Sequence, residues 1–358
     1  MNLPHSEKLP IHFLAACFNK TVATYKYYWF LSILQEIEKG NVIIRKKSLF
    51  AGMLSNSWYT ANYFNLSYGK SDILKEKIST VAEIENILIH YDRETVCRLL
   101  NESKNKKTTR ILNHFDNQVP HWFLSPWFTE ILGTDSEKRK IIYESSTEKQ
   151  RGCLYFLRKE EIEVNPEWVD YLLENTQFLK SFCYWNLTLF FQKHNPNVPD
   201  IASKIIKDAQ RPKLDKQRKD FWNLVFKEAP DNKIKCIYTE ELVSVDNYAL
   251  EHFVPHSFVA HDLIWNLIPA SPKFNSSKNN RLPQFDRFFE KFYEAQTMGL
   301  KTICEKYPRN KLLEDYLTIF SEIPTVGIIG TPEFKIKFQE TIKPLLTIAS
   351  NNGFQYLP

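Results

Sequence analysis

One stretch of this chain, residues 251–283, constrains its fold more than any other: EHFVPHSFVAHDLIWNLIPASPKFNSSKNNRLP. Its chemistry is carried by an acid directly before a histidine, then two asparagines and a lysine: Glu251, His252, Asn266, Asn275 and Lys278. Carboxylate and amide oxygens suit a hard cation such as Mg²⁺, and a neutral imidazole can take a proton from water. A lysine adds positive charge where a phosphate could lie. The stretch therefore predicts a one-metal hydrolytic site.

The segments EHFVP, WNLIP and FNSSKNNRLP resemble the HNH nuclease motif of the ββα-metal fold. The resemblance is closest to the subtype whose third signature residue is asparagine, as in the HNH domain of RNA-guided CRISPR nucleases. The shared layout is acid–His–x–x–Pro, an Asn, then Asn-x-x-Lys and a closing Pro, and it covers about residues 234–283. No RNase-H-like half is visible, and 358 residues are too few for an RNA-guided effector.

The resemblance implies a role for each residue of the motif. His252 would be the general base, and Glu251 and Asn275 would hold one Mg²⁺ or Mn²⁺ ion. Asn266 would orient the loop and His252 by hydrogen bonds, in support of the metal site. Lys278 would either contact the scissile phosphate or cap the C-terminus of its helix. Water would then attack phosphorus while the metal stabilises the developing charge.

Two features depart from the family pattern. Glu251 stands where the family more often has aspartate, and its extra methylene changes the reach of the carboxylate. Neighbouring residues on a strand also point to opposite faces. For Glu251 and His252 to share one site, the strand has to bend or end there, and Pro255 makes such an ending plausible. A degenerate HNH fold without activity is the alternative interpretation.

The residues around the motif predict strand, strand and helix in that order. The strands are expected at residues 248–254 and 263–269, and the helix at 272–279. Many relatives have a zinc-binding CxxC pair just before them, but here Cys236 stands alone, so packing by Tyr248 and Phe253 is expected instead. His256 and His261 are expected to face solvent, with phosphate contact or metal ligation as alternatives. Trp265 is expected in the core.

The remainder of the chain predicts a mainly α protein. Glycine is scarce, with nine residues, and aromatics make up 14% of the chain, which fits a helical protein with a large core. Apolar residues recur at nearly helical spacing between 11 and 39, so the aromatics at 25–30 are expected to be core. The predicted divisions are an α-helical domain (1–200), a basic helical connector (201–233), the nuclease unit (234–283) and C-terminal helices (284–358).

Positive charge is concentrated beside the motif. Between positions 204 and 235 there are ten Lys/Arg and five Asp/Glu residues, and this difference of +5 equals the formal excess of the whole chain. Pro212 is expected to interrupt the helix in this segment. Counterion release would favour such a basic approach to a phosphodiester. An ordinary solvated helix face is an equally consistent interpretation.

The six cysteines form no CxxC pair, which disfavours structural zinc and a disulfide framework and favours reduced thiols. The N-terminus lacks the pattern of a signal peptide, and no run of 18 apolar residues is present. A cytoplasmic protein without a membrane partner is expected.

These observations predict a metal-dependent endonuclease that hydrolyses DNA and resembles bacterial restriction or phage-defence effectors. A homodimer or a protein activator are further possible partners. Two alternatives stay open: an inactive HNH-fold protein that binds nucleic acid, and a toxin-like nuclease that cleaves RNA. The chemistry of the site does not separate DNA from RNA, because a metal-bound water attacks either backbone.

Overall fold

The computed structural model describes residues 2–148, 151–206 and 213–358. The chain divides into two compact units, Met1–Pro196 with Ile201–Ala209, and Asn197–Asp200 with Gln210–Pro358. Both are mainly helical with small sheets, which confirms the predicted fold class. The finer division into a connector, a nuclease unit and C-terminal helices stays a prediction. Pro212, expected to interrupt the basic helix, lies outside the described residues.

The first unit contains helices and three short strands. The helices are α1 (Ile11–Ala16), α2 (Tyr25–Glu38), α3 (Lys46–Asn56), α4 (Trp58–Asn62), α5 (Leu74–Glu85), α6 (Arg93–Glu102), α7 (Lys106–His114), α8 (Pro120–Phe123), α9 (Asp135–Ser145), α10 (Pro166–Glu174), α11 (Thr176–His194) and α12 (Ile201–Ile206). The strands are β1 (Ile43–Arg45), β2 (Tyr155–Leu157) and β3 (Glu161–Val164). Short 3-10 turns at Phe115–Asn117 and Ser125–Phe128 flank α8.

Helix α2 runs through the core of the first unit. The predicted core aromatics on it are all buried: Tyr25, Tyr27, Tyr28, Trp29 and Phe30. Helices α2 and α3 approach closely because Gly52 has no side chain; a Cβ there would lie 2.6 Å from the Ser32 hydroxyl. Burial of several large aromatics on one helix contributes to the stability of this unit, since each removes a large apolar area from water.

A three-stranded antiparallel sheet in the order β1-β3-β2 lies beside these helices. Ile44 pairs with Ile162, and Ile162 also pairs with Leu157. All three side chains are buried, so the sheet closes one side of the helical core. No sequence pattern predicts these strands, because three or four residues are too few for a period of two to stand out.

A buried histidine in the first unit should make its stability depend on pH. His121 is 2% exposed, and its Nδ1 has no hydrogen-bond partner among the described residues. Burial, followed by the positive charge of Arg139, lowers the pKa of His121 to about 4. The unfolded chain takes up this proton near pH 6.5, so the stability is fully present above that pH and is lost as the pH falls towards about 4. The loss should reach roughly 3 kcal/mol.

The test is urea unfolding of wild type and His121→Phe from neutral pH down to about 4. The variant cannot titrate at this position, so its free energy of unfolding should fall less steeply with acid. His90→Phe, at an exposed histidine, serves as the control and should keep the wild-type slope. Equal slopes for wild type and His121→Phe would contradict the prediction.

The second unit is built from hairpins and longer helices. Its helices are α13 (Asp215–Gln217), α14 (Asn223–Glu228), α15 (His256–Val259), α16 (Pro272–Lys278), α17 (Phe285–Lys306) and α18 (Pro332–Asn351). Its strands are β4 (Lys233–Lys235), β5 (Leu242–Ser244), β6 (Ala249–His252) and β7 (Leu267–Ala270). A π-helical turn, Arg218–Trp222, joins α13 to α14, and 3-10 turns occur at Pro230–Asn232, Ile264–Asn266 and Lys311–Thr318.

Buried polar side chains of neighbouring helices form hydrogen bonds to the backbone at the start of β7. The Leu267 carbonyl accepts hydrogen bonds from Trp222 Nε1 at 3.1 Å and from Gln296 Nε2 at 2.7 Å. Gln296 is fully buried on α17, and its Oε1 lies 2.8 Å from the Tyr316 hydroxyl. Since an unsatisfied buried amide is costly, this network fixes where β7 begins.

The predicted order of strand, strand and helix is present in β6, β7 and α16, but both strands are shorter than expected. The first, predicted at 248–254, spans only Ala249–His252. The strand predicted at 263–269 begins only at Leu267, because Ile264–Asn266 form a 3-10 turn. The helix predicted to end at residue 279 ends at Lys278, where Asn279 adopts a positive φ of 51°. The turn places Asn266 just before the strand and not within it.

The lone Cys236 contributes a weak hydrogen bond and no metal site. Its Sγ accepts from the Ser271 backbone N–H at 3.4 Å, at the start of α16. The expected packing by Tyr248 and Phe253 is present: both are buried, and the Phe253 ring stacks on Phe292 at 4.0 Å. Packing therefore holds this region together.

All six cysteines are free thiols. The described helices include none with the length and apolar character of a membrane span.

Candidate active site

The strand that carries Glu251 and His252 ends at His252. In the β6–β7 pair Glu251 lies opposite Ile268, and His252 lies opposite Leu267. Beyond the strand the chain turns through Pro255 into α15. Alternation along a continuing strand would separate the two side chains, but here both line the same cleft.

Asn266 holds the turn that follows His252. Its Oδ1 accepts from the Val254 backbone N–H at 2.8 Å, and its Nδ2 donates to the Val254 carbonyl, also at 2.8 Å. The side chain is fully buried, so these two bonds replace the backbone pairing that ends with β6. Asn266 thus fixes the loop through the backbone of Val254, and its role in orienting His252 stays a prediction.

The imidazole of His252 is held by a carboxylate. Its Nε2 lies 2.8 Å from Asp262 Oδ1, and the two side chains are 14% and 15% exposed. A carboxylate oxygen accepts hydrogen bonds, so we place the ring proton on Nε2, and Nδ1 keeps its lone pair. This tautomer leaves one basic nitrogen available for a proton.

The loop that carries Asp262 is itself anchored. Gln217 Nε2 donates to the Asp262 carbonyl at 3.1 Å. Two residues later the Ile264 N–H donates to Asp315 Oδ2 at 2.8 Å. These contacts help to fix the carboxylate against His252, because they restrain the backbone at Asp262 and just after it.

Sequence reasoning assigned Asp262 no role. Its only signal was an acidic residue ten positions after His252, and nothing in that spacing identifies a partner.

His256 also differs from expectation. It was predicted to face solvent, but only 13% of its side chain is exposed and it lines the cleft. Its Nε2 lies 3.9 Å from Asp262 Oδ1, and its ring centre is 5.3 Å from that of His252. Trp265 is buried, as predicted.

Glu251 forms a buried ion pair with Lys278. Lys278 Nζ lies 2.6 Å from Glu251 Oε1 and donates to the His252 carbonyl at 2.9 Å. The Lys278 side chain is fully buried, and that of Glu251 is 9% exposed. The lysine therefore points back into the fold, to the carboxylate and the end of β6. In this conformation its ammonium neutralises Glu251.

The cleft where these residues meet has a volume of about 60 Å³. Its lining includes Glu251, His252, His256, Asp262 and Asn275, together with Leu214, Leu250, Pro255, Asn279 and Asn280. Water occupies about 30 Å³ per molecule in the liquid, so the cleft has room for a small ion or a few waters at most. The three residues predicted to perform the chemistry, Glu251, His252 and Asn275, thus share one small space.

The donor set fits a hard divalent cation. Lys278 contacts Glu251 through Oε1, and both Glu251 and Asn275 line the cleft, so a carboxylate and an amide oxygen are the candidate ligands there. The same part of the chain contains no cluster of three or more His, Cys, Asp or Glu side chains that could hold an ion. A site here would therefore use one carboxylate, one amide oxygen and water, a combination typical of Mg²⁺.

A comparison with protein families agrees with this geometry. Residues 232–284 match the model of a family described as HNH endonuclease. No curated protein and no solved structure matches the chain. The closer resemblance to the HNH domain of CRISPR nucleases stays a prediction. Residues 232–284, a segment of the chain, thus match the HNH endonuclease family model and contain β6, β7 and α16 in ββα order.

Proposed function

We propose that this chain is a metal-dependent endonuclease that hydrolyses DNA. His252 acts as general base, and Glu251 and Asn275 hold one Mg²⁺ or Mn²⁺ ion. The observation that carries the proposal is the meeting of these three side chains in one cleft of about 60 Å³. HNH nucleases generally act on nucleic acids with a divalent metal ion, which is consistent with this donor set.

His252 takes a proton from the attacking water at Nδ1. The Nε2–H bond to Asp262 keeps the ring in the tautomer in which Nδ1 is basic. The carboxylate also stabilises the imidazolium that forms. Asn266 fixes the turn after His252, and Asp262 holds the ring. Neither the turn nor the ring therefore has to be ordered during the reaction. When bound, a divalent ion supplies charge stabilisation for the scissile phosphate and the leaving oxygen.

Lys278 supports the site through Glu251. Its ammonium keeps the carboxylate in place before an ion arrives. Because Lys278 is fully buried and directed at Glu251, direct contact with phosphate, one of its two predicted roles, is less favoured than this support of Glu251. Its other predicted role, a cap on the helix C-terminus, is also less favoured, because its ammonium bonds to β6.

Exposed cations next to the cleft support a polyanionic substrate. Lys213 adjoins Leu214, Lys273 is two residues before Asn275, and Arg281 follows Asn280; all three cations are exposed. Each is one or two residues from a lining residue in the sequence, which would suit contacts to successive phosphates of a backbone. We propose duplex DNA as the substrate and, by analogy, a cytoplasmic role in restriction or phage defence.

The test is cleavage by the purified full-length chain, assayed on supercoiled plasmid and on RNA with Mg²⁺, Mn²⁺ or chelator. We expect plasmid nicking that requires metal, and Asn275→Ala should need far more metal for the same rate. Ser276→Ala changes the next residue on α16, an exposed one, and should behave like wild type.

Cleavage of RNA alone would replace the DNA proposal with the RNA-cleaving alternative. No cleavage of either substrate, together with no Mg²⁺ binding by calorimetry, would support the inactive nucleic-acid-binding alternative.

A further inference from the structure

Helix α7 in the first unit presents a basic face to solvent. Residues 103–115, SKNKKTTRILNHF, are all described, and they contain four cations and no acidic residue. The four cations are all exposed: Lys104, Lys106, Lys107 and Arg110. Among the described residues none of them forms an ion pair, so no neighbouring carboxylate neutralises their charge.

The acidic residues next to this segment already have partners. Glu102, directly before it, pairs with Arg98 at 3.6 Å. Asp116, directly after it, pairs with Lys46 at 2.9 Å and with Arg139 at 3.1 Å. The charge of each flanking carboxylate is therefore balanced by a cation outside residues 103–115, and the basic face keeps its excess of positive charge.

Buried contacts fix the orientation of α7. Thr108 and Leu112 are fully buried on its inner side, and the Thr108 hydroxyl donates to the carboxylate of Glu85. Thr108 is two residues from both Lys106 and Arg110, which corresponds to about 200° around the helix. The Glu85 carboxylate thus lies on the side away from these two cations. A face that is fixed before binding loses little conformational freedom when it binds.

An open groove of about 530 Å³ follows the outer side of α7. Side chains that recur every three or four residues line it: Lys106, Thr109, Arg110, Asn113 and His114. Burial, followed by the positive charge of Lys77, lowers the pKa of His114, so its imidazole is neutral at physiological pH. The groove therefore combines two cations with hydroxyl, amide and imidazole groups, and these described lining residues include no carboxylate.

This set of groups suits the phosphate backbone of a duplex. Lys106 and Arg110 are one turn apart, about 6 Å along the helix axis. Phosphates of one strand recur about every 3.4 Å along a duplex, so the two cations can contact phosphates two steps apart. The lining residues include no Phe, Tyr or Trp on which an unpaired base could stack, and no large apolar side chain that could enter a membrane. A duplex is therefore favoured over a single strand or a lipid surface.

We propose that α7 binds the phosphate backbone of duplex DNA, as a second nucleic-acid contact besides the cleft. Phosphate contacts hold and orient a duplex without reading its sequence, so binding here is independent of base sequence. The first unit thereby gains a role in holding the substrate. The choice of DNA over duplex RNA rests on the proposed nuclease function, whereas the attraction to a duplex backbone does not.

The test is the affinity of the full chain for a short labelled DNA duplex, measured by fluorescence anisotropy in chelator between about 0.05 and 0.2 M salt. Lys106→Gln with Arg110→Gln removes two phosphate contacts. The slope of log K against log salt should become shallower by about 1.8. If such contacts contribute nothing at 1 M salt, the affinity at 0.1 M should fall by about 60-fold.

Two further double variants serve as controls. Lys140→Gln with Arg158→Gln removes one lysine and one arginine from the same unit but outside α7; both are exposed and each pairs with a glutamate. The net charge changes equally, yet the slope and affinity should stay as in wild type. Lys106→Arg with Arg110→Lys keeps both charges and should also bind like wild type. Thermal unfolding of every variant should match wild type, because the changed side chains are exposed.

Three results would overturn the proposal. They are a wild type that binds no duplex, Lys106→Gln with Arg110→Gln binding as tightly as wild type, and an equal loss in the Lys140 and Arg158 control. Binding of duplex RNA but not of duplex DNA would overturn DNA as the partner. Because binding is measured without metal, a failure to cleave plasmid leaves this result intact. Cleavage that persists without the α7 contact would overturn this inference alone.

Discussion

Replacing His252 with alanine should lower the rate of metal-dependent phosphodiester cleavage by about 10²–10⁴-fold, the usual contribution of a general base. The affinity for Mg²⁺ should change little, because Glu251 and Asn275 are the proposed ligands. Folding should also be retained, since the side chain lies at the edge of the cleft with 14% of it exposed. The measurement is the single-turnover rate of plasmid nicking at saturating metal.

The loss should appear in the chemical step and not in substrate binding. The Nδ1 lone pair of His252 is used only when water is deprotonated, so its removal leaves ground-state contacts intact. Asp262→Asn keeps a hydrogen-bonding side chain but removes the charge that holds the ring, and its rate should fall between those of wild type and His252→Ala.

His261→Ala is the matched control, because His261 belongs to the same loop but does not line the cleft. It should retain wild-type activity. If His252→Ala and His261→Ala cleave equally well, His252 is not the base. If instead His256→Ala alone abolishes cleavage, the base is the neighbouring imidazole, whose ring centre lies 5.3 Å from that of His252.

Sequence alone could predict the ββα order because its determinants are local. The acid–His pair, Asn266, Asn275 and Lys278 lie at spacings that one hairpin and one short helix can satisfy. The same is true of α2, where apolar residues recur at nearly helical spacing and the aromatics at 25–30 are buried as predicted. In both cases the residues whose pattern predicts the structure are close together in the sequence.

What could not be predicted depends on contacts between distant residues. The bond from His252 to Asp262 requires a loop conformation that Gln217 and Asp315 help to set, and neither belongs to the motif. The direction of the Lys278 side chain likewise follows from the packing of α16 on β6. The sheet β1-β3-β2 joins residues far apart in sequence, such as Ile44 and Ile162, through strands too short to show a period.

Replacing Lys278 with methionine should destabilise the fold by about 3–5 kcal/mol, the typical cost of leaving one partner of a buried ion pair alone. Methionine keeps much of the volume of the side chain but removes the ammonium that contacts Glu251 Oε1 at 2.6 Å. The carboxylate, in a residue that is 7% exposed, then has no neutralising charge among its described neighbours. The His252 carbonyl also loses its donor.

A divalent ion should reverse part of this loss. If Glu251 is a metal ligand, Mg²⁺ supplies the positive charge that Lys278→Met lacks, so the variant should gain more stability from Mg²⁺ than wild type does. Urea unfolding with and without Mg²⁺ measures both effects. Lys335→Met, which breaks the exposed pair with Glu290, should cost less than about 1 kcal/mol and show no dependence on Mg²⁺.

The double variant Glu251→Gln with Lys278→Met separates charge from packing. It removes both ions, so it should be more stable than Lys278→Met alone, and Mg²⁺ should no longer stabilise it. If Lys278→Met is as stable as wild type, the buried ion pair contributes little to the stability of the fold. If Lys278→Met loses stability but gains none from Mg²⁺, Glu251 has a structural role only, and the proposed ligand set has to exclude it.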